Sequence, residues 1–131
     1  MEWESYFKEA TDYSKVAAGA YKKGTLGNIV VYNVMGIAVE NFMTTILMRE
    51  GKIPEHSSIS GMLREMKKMM PVPDEFTPEV RFMNSFMTFC ALDVTPEKIP
   101  TNEETARMLV FVLALEAWTI ECLAVENSSV N

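Results

Sequence analysis

Apolar residues recur every three or four positions along most of this chain, and that recurrence sets its elements. Trp3, Tyr6, Phe7, Ala10, Tyr13, Ala17, Ala20 and Tyr21 share one face of a helix over residues 3–23. Gly24 stands where a left-handed residue ends such a helix. Thr25 is the expected cap of a second helix, which runs to about Glu50 and stops at Gly51. Ile29–Tyr32 alone would pass for a strand. The pattern continues through Val34, Met35, Ala38, Val39, Phe42, Ile46 and Leu47, however, and strands rarely exceed about ten residues, so length decides for helix. The second helix is apolar on most sides, which predicts a central position. Asn33, Glu40 and Thr44 form a narrow polar stripe along it.

Ser57 or Ser58 caps a third helix through Met70, with Ile59, Met62, Leu63, Met66 and Met69 or Met70 inward. Arg64, Glu65, Lys67 and Lys68 are expected to face outward, and Pro71 and Pro73 stop the helix. Thr77-Pro78 reads as a cap followed by a first-turn proline, opening a fourth helix to about Leu92. Its inward residues would be Val80, Phe82 or Met83, Phe86, Met87, Phe89 and Cys90. Thr101 and Glu104 spell a capping box for the last helix, 102–124. The expectation is an all-α, up-and-down bundle of about five helices, one domain over residues 1–125, with a frayed tail at 126–131. The second and fifth helices are apolar nearly all round, more than one small bundle covers, which predicts a homodimer joined through a helical face.

Composition removes several functions. The 131 residues carry a net charge of −6, so nucleic-acid binding would need a local basic patch. The two cysteines, Cys90 and Cys122, are far apart in apolar contexts without basic neighbours, which points to reduced, unreactive thiols and a cytoplasmic location. Met1–Glu4 lacks a basic n-region and an apolar h-region, so it does not read as a signal peptide. The apolar run from Ile29 to Met48 is interrupted by Asn33, Glu40 and Asn41, and the run from Met108 to Trp118 is shorter than the roughly 20 residues of a membrane span. With His56 as its one histidine, the chain cannot assemble a Cys/His zinc site or the paired Glu-x-x-His of a di-iron bundle. No phosphate-binding glycine loop or nucleophile elbow is present, and no metal or cofactor is expected.

The segment Ala38-Val39-Glu40-Asn41 through Gly51, followed by Ile53-Pro54, His56 and then Leu63, resembles the signature of HEPN domains, the higher eukaryotes and prokaryotes nucleotide-binding family. That family has an Ala-x-Glu-Lys-type core in its second helix, a Gly-terminated end, a Pro-containing loop and a His before a following Leu. The five-helix order and the acidic start of the last helix (Thr101–Ala106) fit as well. The family's Lys after Glu is Asn41 here, a departure. The resemblance implies one of two roles. Many such domains are metal-independent RNases with an Arg-x(4–6)-His motif near a late helix, the His acting on a 2′-hydroxyl and the Arg on phosphate charge. Others lack the motif and partner small nucleotidyltransferases, in toxin–antitoxin-like or nucleotide-binding settings. The late loop Leu92–Pro100 holds neither Arg nor His, so the sequence leans toward the non-catalytic interaction module.

Arg49 and His56 do satisfy the catalytic spacing, at the end of the second helix, and carry the alternative RNase reading. A helix-end Arg ordinarily answers the dipole, and a His beside two serines is ordinarily a surface residue. Glu40 is a candidate binding carboxylate, although a hydrogen-bonded network with Asn33, Thr44 or a tyrosine is the commoner fate of such a residue. Arg64, Lys67 and Lys68 form a basic patch that is a candidate for phosphate binding, against the ordinary role of a solvated face. Met62, Met66, Met69 and Met70 lie beside it as core fillers or an adaptable partner surface.

Overall fold

The computed structural model describes residues 2–86 and 99–129, with side chains through Ala124. Five helices follow in order: α1 (Trp3–Lys23), α2 (Asn28–Arg49), α3 (Ile59–Met69), α4 (Phe76–Ser85) and α5 (Asn102–Ser129). No strand occurs among the described residues. α1 buries a row of small residues, Ala10, Ser14, Ala17 and Ala20, and packs extensively against α2. α2 lies at the centre and also touches α3 and α5, while α4 bridges α3 and α5. Phe7 meets Phe42 edge-on at 6.3 Å, and Phe76 of α4 packs edge-on against Phe111 and Trp118 of α5 at 5.4 and 5.7 Å. By length and composition α2 could cross a membrane, but 56% of its most apolar stretch is buried, and it serves here as the core helix.

The helix ends follow local chemistry, with three corrections to the sequence reading. Gly24 closes α1 in the left-handed conformation at φ 67°. The amide of Thr25 then donates to the Ala20 carbonyl, so Thr25 belongs to the end of α1 and does not cap α2. α2 starts instead after Gly27, without a side-chain cap. The Asn28 side chain donates to the Pro100 carbonyl and to Asn102, which ties the start of α2 to the start of α5. Gly51, at φ 83°, stops α2 as expected. Ser58 is the cap of α3, its hydroxyl accepting from the Gly61 amide at 3.0 Å.

The second correction concerns α4, which begins at Phe76. Thr77 therefore lies inside the first turn, where its hydroxyl accepts from Lys67, and Pro78 is the third helical residue. The first turn has no intrahelical use for amide hydrogens, so proline fits there as well as at the first position. The expected continuation to Leu92, with Met87, Phe89 and Cys90, lies outside the described residues, as does nearly all of the late loop. At α5 the capping box forms as read: the Glu104 amide donates to Thr101 Oγ1 and the Thr101 amide to the Glu104 carboxylate. The backbone then stays helical to Ser129, beyond the expected end at residue 124 and into the segment read as a frayed tail.

Candidate functional site

The loop between α2 and α3 folds back onto α3, and one side chain organises it. Glu65, an outward residue by the sequence pattern of α3, is only 3% exposed. Its carboxylate accepts from the amides of Glu55 and His56 at 3.2 Å each and from Nδ1 of His56 at 2.9 Å. Lys52 Nζ stands 3.8 Å away. The hydrogen bond from His56, followed by those from the two backbone amides, holds the Glu65 carboxyl below the usual carboxylate range. A buried carboxylate with this many donors stays ionised and serves as an acceptor only.

Gly61 completes the arrangement. It sits one turn before Glu65, and a β-carbon there would come within 2.5 and 2.7 Å of the Cβ and Cγ of His56. The absent side chain is what admits the imidazole against the helix. The His56 side chain remains 47% exposed, with its second ring nitrogen free of protein partners among the described residues.

The other sequence candidates fall in separate places. Arg49 ends α2 with its guanidinium 5.0 Å from the centre of the Trp3 ring, a cation–π contact, while His56 turns to Glu65. The two share one end of the bundle without joining as a pair. Glu40 is half-buried on α2, and the network expected for it does not form. Thr44 donates to the sulfur of Met62, and Tyr32 donates to the Met83 carbonyl. Burial without a partner raises the Glu40 carboxyl above its ordinary value. Arg64 and Lys68 are exposed one turn apart on α3, and Lys67 reaches across to Thr77. Met62 and Met66 are buried in the core, and Met69 and Met70 pack against it, so the methionine cluster fills space and offers little surface. Cys122 is partly buried on α5.

A second feature lies on α5. Val110, Leu113 and Ile120 are 69, 45 and 49% exposed, with Ala114 and Ala117 exposed between them. Beside this stripe, Phe76, Val110, Phe111 and Ala114 line a largely apolar groove of about 380 Å³. At its rim Arg107 forms a two-pronged pair with Glu79, at 2.9 and 3.2 Å, and lies over the Phe82 ring.

No protein-family model matches the chain, and no curated protein does. Solved structures do. A HEPN domain protein from Thermotoga maritima superposes with a TM-score of 0.74 at 15% identity, over 92% of this chain and 98% of that one. The fold is that of HEPN domains. An archaeal HEPN homologue, ST0689, gives 0.71 at 14% identity over 92% and 97% of the two chains. TT1696 of Thermus thermophilus gives 0.76 at 14% identity over 91% and 96%. At such identities the likeness establishes the HEPN architecture and assigns no activity.

Proposed function

We propose that this chain is a HEPN-type interaction module without catalytic activity. It works in the cytoplasm as a homodimer and partners a small nucleotidyltransferase in a toxin–antitoxin-like or nucleotide-binding setting. The observation that carries the reading is the uncovered apolar stripe of α5, Val110 to Ile120, which sits beside an apolar groove on the same helix. Contiguous apolar surface of this kind marks a protein contact. The absence of Arg and His between residues 92 and 100 supports the non-catalytic half of the proposal. Co-expression with a nucleotidyltransferase encoded by a neighbouring gene, followed by pull-down, tests the partnership, and failure to recover a complex counts against it. Light scattering is expected to return twice the 14.8 kDa chain mass, and a monomer at micromolar concentration removes the dimer.

One observation favours a second reading, a metal-independent RNase. The His56–Glu65 pair is an imidazole oriented by a buried carboxylate, an arrangement suited to proton transfer at neutral pH. Arg49 enters this reading by its spacing, as the partner that would meet the phosphate. Single-stranded RNA incubated with the protein in EDTA, beside His56→Ala, decides it. Cleavage that the variant loses supports the enzyme, and equal or absent cleavage leaves the interaction module.

A further inference from the structure

We propose that Glu65 is the positioning residue of His56, fixing the ring so that Nδ1 carries the proton and Nε2 faces solvent as the free base. The chemistry assigned to that base rests on the RNase reading above; the positioning itself does not. Two features support it. Glu65 is almost wholly buried, yet its oxygens take the ring N–H at 2.9 Å and two loop amides at 3.2 Å, so the carboxylate locks both the loop and the ring. An ionised carboxylate only accepts, so the Nδ1 it faces must be the protonated nitrogen, and a neutral imidazole then keeps its lone pair on Nε2. Gly61 opens the space that the ring occupies, which fixes its plane as well as its hydrogen bond.

Because His56 is the one histidine, ring measurements on the whole chain report on it alone. Long-range nitrogen–proton correlation spectra of the ¹⁵N-labelled protein at pH 8 are expected to show the Nδ1–H tautomer. The Nε2–H tautomer in the wild type overturns the proposal. In Glu65→Gln an amide oxygen in the place of Oε2 keeps both loop amides and Nδ1–H, so that variant is the control that retains the tautomer, whereas Glu65→Leu removes the acceptor and is expected to lose the Nδ1–H preference. An unchanged tautomer in Glu65→Leu overturns the proposal. If Glu65→Leu does not fold, Gly61→Ala displaces the ring while leaving the carboxylate, and a retained Nδ1–H preference there overturns the proposal. Where the wild type cleaves RNA, Glu65→Leu should lower kcat at little-changed KM, and an equal, measurable kcat in both proteins overturns the proposal. The expected tautomer in a wild type that cleaves nothing removes the RNase reading alone and leaves Glu65 as the positioning residue.

Discussion

Two helices of this bundle are apolar on nearly all sides, and only one of them has neighbours enough to cover it. α2 is enclosed by α1, α3 and α5, and of its large apolar residues only Val30 and Ile37 reach solvent appreciably. α5 buries Met108, Phe111, Val112 and Leu115, while Val110, Leu113 and Ile120 stay open on its other side. The difference lies in position. α2 crosses the middle of the bundle, with α1 packed extensively against it; α5 packs on the outside. An all-round apolar helix at a periphery is evidence for a surface that a second chain covers, whereas the same composition at the centre is ordinary core.

The largest expected effect comes from the covered side. Phe42 is fully buried against Phe7, so Phe42→Ala removes a ring from the middle of α2 and is expected to cost about 3–5 kcal/mol in urea unfolding. Leu115→Ala, on the inner side of α5, should cost about 2–5 kcal/mol. Costs below about 1 kcal/mol at both sites would break the contrast between inner and outer faces, because surface changes ordinarily stay near that range.

The outer side of α5 sharpens the comparison. Leu113→Ala should cost about 0.5 kcal/mol or less in the monomer. If a second copy covers this face, the cost grows with protein concentration, since association stabilises only the folded chain. Val110→Asp with Leu113→Asp should leave the helical circular dichroism unchanged and bring the scattering mass from twice 14.8 kDa to 14.8 kDa. A double variant that keeps the larger mass would place the interface elsewhere.

Periodicity makes the helices readable. Three- and four-residue spacing over long runs is a strong signal, and the Thr101–Glu104 box, Ser58, Gly24 and Gly51 act through local chemistry that is visible in sequence. The starts of α2 and α4 are not readable in the same way, because each apparent cap has another use. The Thr25 amide finishes α1, and the Thr77 hydroxyl serves Lys67, ten residues earlier. The burial of Glu65 escapes the sequence for a related reason. A charged residue between Arg64 and Lys67 looks like solvated surface, and only the returning loop, which brings two amides and an imidazole, makes its burial favourable. Gly61 is the available clue. It is the third residue of α3, a weak helix former in the first turn, and the space it leaves one turn before Glu65 is what the imidazole occupies. Ser14, buried and bonded to Glu116 of α5 at 2.8 Å, gives no such sign.

The smallest effect concerns the one acidic group along α2. Glu40 is half-buried and makes no hydrogen bond or ion pair among the described residues, and burial raises its carboxyl above the ordinary 4.5. The sign follows from linkage. A carboxyl that binds its proton more tightly when folded stabilises the protein below the unfolded value and loses that stabilisation as pH rises through the folded one. At neutral pH the ionised Glu40 is therefore a mild liability for α2. Glu40→Gln should raise stability at pH 7 by about 0.5 kcal/mol or less and should have no stabilising effect at pH 3.5. Urea unfolding at the two pH values reads the difference directly. A variant destabilised at pH 7 and unaffected at pH 3.5 would mean that the carboxylate has a favourable role on α2, and the contrast between a settled α2 and an unfinished α5 would then fail at this position.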